Sequence, residues 1–400
     1  MEEDECSIKT LVEQTKELAR ENDVPTELVY GADVVATHGA AALAGLGRCA
    51  LLVTGAHAAA QCGALGAVCA ALARNGQTHV HYAGVPPNPD VACLYAAAAA
   101  GRAAGADFVV GIGGGSPLDA AKLVALLLAL PPAAVPAPGA FFAAAPRLLA
   151  APDTRVLPLA AVPTTAGTGS EVTPYAIVTN DAARTKTSVA HARLYYRVAL
   201  LDPQHLATVP AATARATALD SLCHSAEAAL SVRATPASDA AARAGLRALA
   251  ACWDALAAHP EALAPAVRAR LLLASTLGGV AIARTGTVAV HALGYSLTYF
   301  RGIAHGRANA LVLASYLRLA HARCPAAVAP VLAALGAPDV AAAAAMVGRV
   351  LGARTETLTR AEIDTYAPLA AATRNIANSR VPPSLDDIRA LYAESFGVDL

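Results

Sequence analysis

Short apolar runs and helix-like stretches alternate through the first half of the chain. The apolar runs at residues 50–54 and 108–112 are typical of buried strands, and a further short strand is expected at residues 79–82. Helix-period stretches cover residues 64–74, which stop at Asn75-Gly76, and residues 92–104. Strands and helices that alternate at this spacing predict βαβ units and a parallel sheet.

The alternation of strands and helices changes after the strand predicted at residues 108–112. Residues 131–153 are rich in proline and alanine and predict a loop, and two more strands are expected near residues 156–162 and 175–179. From about Pro203 onward helix-period stretches dominate and strand-like runs almost vanish. We therefore predict an α/β domain over residues 1–202 and a helical domain over residues 203–400.

Composition narrows the class of protein. The hydrophobic fraction is 56% and the charged fraction 15%, which excludes intrinsic disorder. The 30 basic and 30 acidic residues cancel, and the chain has no basic run of the kind that binds nucleic acid. Eight cysteines without a CxxC pair are typical of reduced thiols in a cytosolic protein. The acidic N-terminus does not resemble a signal peptide, and the most apolar stretch, residues 123–130, is too short to span a membrane. These features predict a cytoplasmic protein that binds neither nucleic acid nor membrane.

A glycine-rich turn follows the predicted strand at residues 108–112. Gly113, Gly114 and Gly115 precede Ser116, and Pro117 is expected at the first position of a helix. Backbone N–H groups at such a helix start can bind a phosphate. The alternative is a tight turn in which the glycines only meet steric needs. The segment matches neither a Walker loop nor the GxGxxG pattern.

A second polar turn spans residues 163–173 and is rich in threonine, serine and glycine. Its hydroxyl groups and small residues could line a nucleotide pocket, although such turns are also common as plain loops. The turn contains no GxSxG motif, so it does not support a serine hydrolase.

Four residues of the second half are of the types that bind divalent transition metals. Asp220 and His224 lie four residues apart in a helical stretch, so their side chains share one face. His291 and His305 follow, fourteen residues apart. One carboxylate and three imidazoles suit Fe²⁺ or Zn²⁺. Spacing alone leaves open a simple Asp–His hydrogen bond with structural histidines elsewhere.

Taken together, these segments resemble the iron-containing (group III) alcohol dehydrogenase family. The resemblance rests on GGGSPLDAAK at residues 113–122, VPTTAGTGSEVTPY at 162–175 and ALDSLCHSAEA at 218–228. It continues with VHAL and AHGRANAL within residues 290–311, and more weakly with ANSRVPPSLDDIRALY at 377–392. The order and spacing of these motifs match from about residue 29 to near the C-terminus.

The resemblance implies a fold and an activity. The expected fold is a Rossmann-like α/β dinucleotide-binding domain with a parallel sheet, then an all-helical domain, as in dehydroquinate synthase-like proteins, with cofactor and metal in the cleft between them. The implied activity is metal-dependent hydride transfer between NAD or NADP and a primary or secondary alcohol or its carbonyl form. Fe²⁺ is the expected metal, with Zn²⁺ or Mn²⁺ as alternatives, and the expected assembly is a homodimer.

Two sets of residues match the family's site by position. The cofactor-binding set is Gly114, Gly115, Ser116, Thr164, Thr165, Thr173 and Lys186. The metal ligands are Asp220, His224, His291 and His305. In the first set, the glycines and the serine would hold the pyrophosphate, and the paired threonines would contact the adenine-side nucleotide. The last two residues would lie near the nicotinamide ribose and phosphates.

Two positions depart from the family pattern. Gly55 stands after the first predicted strand, where many relatives carry an aspartate that accepts from the ribose 2′-OH and repels a 2′-phosphate. We therefore expect NADP(H) to be accepted, unless another residue takes over selectivity for NAD. Tyr295 stands where the family often has a histidine near the substrate. Its hydroxyl could pass a proton, or the ring could only shape the pocket while water carries the proton.

Two other interpretations remain at this point. The chain could be a related glycerol dehydrogenase or a metal-dependent cyclase of the dehydroquinate synthase type. It could also be an inactive scaffold that binds metal or nucleotide, with Tyr295 as the sign of lost catalysis. The Asp/His₃ pattern and the TTAGTGSEVT segment favour the alcohol dehydrogenase. Consumption of NAD(P)H with a simple aldehyde would separate it from the cyclases, whose reaction is redox-neutral overall.

Overall fold

The computed structural model describes residues 2–400, with side chains from residue 6 onward. The chain divides into two compact units. One is helical and contains residues 2–22, 166–169 and 210–400, whereas the other contains residues 23–165 and 170–209. The domain boundary between residues 202 and 203 stays a prediction.

A six-stranded sheet forms the centre of the second unit, in the order β1-β8-β5-β4-β2-β3 with every neighbouring pair parallel. Its strands are β1 Glu27–Tyr30, β2 Cys49–Thr54, β3 Thr78–Tyr82, β4 Phe108–Gly113, β5 Leu159–Pro163 and β8 Val198–Leu201. The central strands β4 and β5 are buried along their whole length, which explains why they read as continuous apolar runs. A separate antiparallel hairpin joins β6 Tyr175–Asn180 to β7 Thr185–Ala190.

Helices connect the strands of this unit. They are α2 Val34–Leu43, α3 Ala58–Gln61, α4 Ala64–Arg74, α5 Val91–Ala103, α6 Gly115–Ala129 and α7 Phe141–Ala150. Alternate residues of β4, such as Val110 and Ile112, pack with Leu43 of α2 and Val68 of α4 in one core. The strand and helix alternation predicted for residues 50–112 is therefore confirmed.

Two local expectations were wrong. The loop predicted over residues 131–153 contains α7, because Phe141, Ala145 and Leu149 recur at helical spacing and are buried together. Two three-residue 3₁₀ turns and the prolines before the helix obscured this stripe. Pro117 is the third residue of α6 and not the first, since the helix already begins at Gly115.

The other unit is helical, as predicted. Its helices are α1 Glu2–Glu21, α8 Ala211–Ala229, α9 Pro236–Ala250, α10 Trp253–Ala258, α11 Pro265–Thr285, α12 Ala289–Arg301, α13 His305–Arg323, α14 Pro325–Leu335, α15 Val340–Leu351, α16 Arg360–Ala371, α17 Arg374–Ala377 and α18 Leu385–Phe396. Helix α8 packs against α9, α11 and α13, so most of its residues from position 218 onward are buried. This central helix carries two of the predicted metal ligands.

One helix among residues 2–400, α11, is long and apolar enough to cross a membrane, and the bent pair of α14 and α15 passes the same test together. Within α11, 72% of the apolar window is buried inside the fold, as in a core helix. All eight cysteines lie within the described residues and are free thiols.

Candidate metal centre and nucleotide-binding turn

Three helices bring the four predicted metal ligands together. Asp220 and His224 lie on α8, His291 is the third residue of α12, and His305 is the first residue of α13. The Asp220 Oδ1 atom lies 3.9 Å from His224 Nε2, 3.7 Å from His291 Nε2 and 3.9 Å from His305 Nε2. The donor atoms of the first three residues all lie within 4.8 Å of one another. This carboxylate oxygen therefore faces all three imidazole rings.

A glycine allows His305 to reach this group. A Cβ atom on Gly306 would overlap the carbonyl oxygen of Ala216 and would lie 2.6 Å from the Cβ of Asp220. The start of α13 therefore packs directly against the backbone of α8. Because His305 immediately precedes this contact, its ring is carried to the carboxylate.

Hydrogen bonds to the second ring nitrogens orient two of the imidazoles. His224 Nδ1 lies 3.1 Å from the carbonyl oxygen of Gly167, and His291 Nδ1 contacts Glu227 Oε2. Both partners accept, so we assign the proton of each neutral ring to Nδ1 and a lone pair to Nε2. The two Nε2 atoms lie only 3.1 Å apart, beside a carboxylate oxygen. This convergence of lone pairs fits a divalent cation, and the donor set suits Fe²⁺ or Zn²⁺.

Glu227 is a functional residue that the sequence reasoning missed. Its carboxylate is fully buried, and Oε1 accepts the backbone N–H groups of Val288 at 2.9 Å and His291 at 3.1 Å. Burial raises the pKa of Glu227, and these two N–H groups oppose the rise because they stabilise the ionised carboxylate. A carboxylate behind a metal-binding histidine fixes the ring and its tautomer. The signal was its position three residues after His224 on a helix of small residues.

Burial also sets the charge of His224. Desolvation lowers the pKa of His224, although the neighbouring Asp220 carboxylate raises it. The ring is therefore neutral near pH 7, which is the form that coordinates a metal.

Two glycines of the polar turn at residues 163–173 allow close packing in the helical unit. A Cβ atom on Gly167 would lie 2.6 Å from the Cβ of Thr217 on α8. Gly169 has a φ of +60°, and a Cβ atom there would overlap Gly279 Cα on α11. Residues 166–169 consequently lie directly against both helices, which places the Gly167 carbonyl at the ring of His224.

The first glycine-rich turn joins β4 to α6 as predicted. Thr164 donates its backbone N–H to the Gly113 carbonyl at 2.9 Å, and a Cβ atom on Gly114 would lie 3.0 Å from Thr165 Oγ1. Ser116 Oγ accepts the backbone N–H of Asn88 at 3.1 Å. The structure thus brings this predicted phosphate-binding group together at the carboxyl ends of β4 and β5. The start of α6 offers backbone N–H groups there.

Lys122 is a second residue that the sequence reasoning missed. Its fully buried Nζ donates to the carbonyl oxygens of Thr173 at 3.0 Å and Tyr175 at 2.6 Å, and to Ser170 Oγ at 2.9 Å. Burial lowers the pKa of Lys122 to about 8, opposed by the nearby carboxylate of Asp119. The lysine ties residues 170–175 to α6. Its signal was the single basic residue of a mostly apolar helix, three positions after Asp119.

The two remaining cofactor candidates, Thr173 and Lys186, lie outside the glycine-rich turn between β4 and α6. The Thr173 hydroxyl is buried, accepts from Lys122 at 3.3 Å and donates to the Ser170 carbonyl at 3.4 Å. Lys186 lies on β7, opposite Thr179 in the hairpin.

Gly55 follows β2, the strand next to β4 in the sheet. A Cβ atom there would have Val85 O as its nearest neighbour, at 3.4 Å, so the position has room for a side chain.

Tyr295 lies one turn beyond His291 on α12, at the edge of the metal-ligand group. Its ring stacks on His305 with a centroid distance of 5.6 Å and an interplanar angle of 8°, and it meets His291 edge-on at 6.1 Å. Only 9% of Tyr295 is exposed. The structure therefore places this residue beside two of the predicted ligands.

The fold and this group define an α/β and helical protein with a candidate metal centre, and comparisons with known proteins give its family. Two family models match the chain: iron-containing alcohol dehydrogenase over residues 25–203, and the C-terminal region of the Fe-containing alcohol dehydrogenase family over residues 214–396. Alcohol dehydrogenase 4 of Saccharomyces cerevisiae (strain YJM789) is 33% identical over 276 residues, which cover 69% of each chain. The chain belongs to the iron-containing alcohol dehydrogenase family, which confirms the resemblance seen in its motifs.

A further relative and a solved structure agree with this assignment. A probable alcohol dehydrogenase, EutG, from Salmonella typhimurium is 36% identical over 228 residues, or 57% of this chain and 55% of the relative. An iron-containing alcohol dehydrogenase from Thermotoga maritima is 30% identical, with a TM-score of 0.83 over 94% of this chain and 99% of that one. The chain spans 55% to 62% of the length of the first curated relatives that it matches.

Proposed function

We propose that the protein is a metal-dependent, NAD(P)-linked alcohol dehydrogenase that interconverts a primary or secondary alcohol and its aldehyde or ketone. The observation that carries this proposal is the convergence of Asp220, His224, His291 and His305, in a member of the iron-containing family. A divalent cation held by these four residues would supply Lewis acidity to the substrate oxygen. A nicotinamide cofactor held at the glycine-rich turn would supply the hydride donor or acceptor for the reacting carbon.

The protein's own residues bind and orient these groups. We assign the pyrophosphate of the dinucleotide to the backbone N–H groups at Gly114, Gly115 and Ser116, where the start of α6 favours negative charge. Thr164 and Thr165 then belong to the adenine side of the cofactor. The positions proposed to lie near the nicotinamide ribose and phosphates are Thr173 and Lys186.

Other features of the proposal rest on the family and the composition. Fe²⁺ is the proposed metal, with Zn²⁺ or Mn²⁺ as substitutes, because neutral imidazoles and one carboxylate accept all three. The homodimer rests on the family resemblance, and the cytoplasmic location rests on the free thiols. The boundary between residues 202 and 203 is kept as the proposed division of the chain into domains.

The proposed activity is tested by a panel of aldehydes with NADH and with NADPH. The purified protein is first freed of metal with a chelator and then loaded with Fe²⁺, Zn²⁺ or Mn²⁺ under anaerobic conditions. We expect aldehyde-dependent oxidation of the reduced cofactor only in loaded samples. Cofactor binding without any turnover would favour a scaffold, and metal-dependent turnover without net consumption of cofactor would favour a cyclase.

Cofactor selectivity is expected to depend on Gly55. A carboxylate at this position would accept from a ribose 2′-OH and repel a 2′-phosphate. Because the site has room for a side chain, Gly55→Asp should lower the NADPH/NADH ratio of kcat/KM by at least about tenfold, or ~1.4 kcal/mol. Fluorescence titration with NADP⁺ and NAD⁺ gives the same comparison for binding alone.

The matched control is Gly55→Asn, which has nearly the same shape without the charge. It should change the ratio much less than Gly55→Asp. If both variants keep the wild-type ratio, selectivity is set by other residues.

A further inference from the structure

We propose that Asn309 is a positioning residue of the metal centre, whose side-chain amide holds the Asp220 carboxylate in the orientation that binds the cation. This inference rests on the metal centre of the proposed function. Asn309 lies on α13, one turn after His305, and is completely buried. It is therefore carried to the ligand group by the same helix that carries His305.

The amide nitrogen of Asn309 touches three of the four ligands. Nδ2 lies 3.1 Å from Asp220 Oδ1, 3.2 Å from His291 Nε2 and 3.4 Å from His305 Nε2. An ionised carboxylate only accepts hydrogen bonds, so the amide must present its N–H group, and not its oxygen, to Asp220. The orientation of the amide follows from this contact.

The opposite end of the amide is left without a partner. Asn309 Oδ1 is buried and has no hydrogen-bond partner among residues 2–400. A buried acceptor without a partner destabilises a fold, and such groups occur where function requires them. Here the unmade hydrogen bond is the consequence of turning the N–H group towards the ligands.

A glycine on the facing helix makes room for this orientation. A Cβ atom on Gly294 would overlap Asn309 Oδ1 and would lie 3.0 Å from its Cγ. Gly294 is part of α12, between His291 and Tyr295. Because Gly294 has no side chain, the Asn309 amide has the space to lie against the ligands.

The hydrogen bond has a direct consequence for the carboxylate. Asp220 Oδ1 is the oxygen that faces all three imidazoles, and the Asn309 N–H group uses one of its lone pairs. The other lone pair is then left to bind a cation held between the imidazole nitrogens, and rotation of the carboxylate is restricted. Residues that orient metal ligands in this way typically change metal affinity by about 10- to 100-fold when they are replaced.

The test measures binding of Co²⁺ to the full-length, metal-free protein. Asn309→Ala should raise the Kd for Co²⁺ by about 10- to 100-fold and alter the visible absorption bands of the bound ion. Ser315→Ala is the matched control, since Ser315 is buried on the same helix and bonds to Val312 and Ser395 away from the ligands. The control should bind Co²⁺ as the wild type does.

A double-mutant cycle separates positioning from general damage. Gly294→Ala should weaken Co²⁺ binding in the wild type, because its methyl group displaces the amide, but should have little further effect in Asn309→Ala. If Asn309→Ala fails to fold, Gly294→Ala alone carries the test.

Wild-type affinity and an unchanged spectrum in the folded variants would overturn the inference and leave the proposed metal centre intact. Failure of the wild type itself to bind Co²⁺ would instead overturn both.

Discussion

Replacing Asp220 with alanine is expected to abolish both bound metal and alcohol oxidation. Asp220 is the single anion among the four proposed ligands, and its Oδ1 lies within 3.7 to 3.9 Å of all three imidazole Nε2 atoms. Its loss leaves three neutral rings, which lowers the affinity for a divalent ion. Removal of His291 should have a similar effect, because it also leaves the buried Glu227 carboxylate without its imidazole partner.

Three measurements check this prediction. Metal content by mass spectrometry and aldehyde-dependent NAD(P)H oxidation should both fall to background in Asp220→Ala and His291→Ala. A metal that binds the native state raises the thermal midpoint, so the rise seen on metal loading of the wild type should vanish in the variants. His321→Ala is the control, because His321 lies exposed near the end of α13, the helix that begins with His305. Wild-type activity in a metal-free Asp220→Ala protein would disprove the assignment.

The sequence could predict the part of this centre that lies on one helix. Asp220 and His224 are four residues apart, and helical geometry alone puts them on one face. The meeting of His291 and His305 with that pair depends on how α12 and α13 pack, which spacing does not reveal. The family resemblance supplied that step. Gly306 is the local feature that permits it, since its missing side chain lets α13 approach α8.

The supporting residues were harder to predict because their chemistry appears only in the folded state. Glu227 and Asn309 each lie at helical spacing from a ligand, three residues after His224 and four after His305. Many helices carry polar residues at such spacing without any role. What distinguishes these two is complete burial, together with contacts to ligands on other helices.

In the α/β unit, the elements that could be predicted were those with a long, uninterrupted pattern of apolar residues. The apolar runs of β2 and β4 stand out because both strands are buried inside the sheet. Strands β1 and β8 are only four residues long, so their runs are too short to distinguish from loops. Helix α7 was missed because prolines precede it and another, Pro146, lies within the helix itself.

Tyr295→Phe is expected to lower kcat by roughly 10- to 1,000-fold while metal content stays unchanged. The substitution removes only the hydroxyl group, so the ring can keep its stacked position on His305 and its edge contact with His291. We infer that this hydroxyl passes the proton between the substrate oxygen and solvent. Phenylalanine cannot do so, whereas the binding of metal and cofactor should be retained.

The control for this prediction is Tyr392→Phe. The Tyr392 hydroxyl is buried and donates to the Leu293 carbonyl at 2.7 Å, so its loss perturbs α12 next to Tyr295 without removing the proposed proton carrier. We expect Tyr392→Phe to affect the thermal midpoint more than kcat, and Tyr295→Phe to do the reverse. The solvent deuterium isotope effect on kcat should also change in Tyr295→Phe alone, because the route of the proton has changed. Full kcat with an unaltered isotope effect in Tyr295→Phe would mean that the ring only shapes the pocket and that water carries the proton.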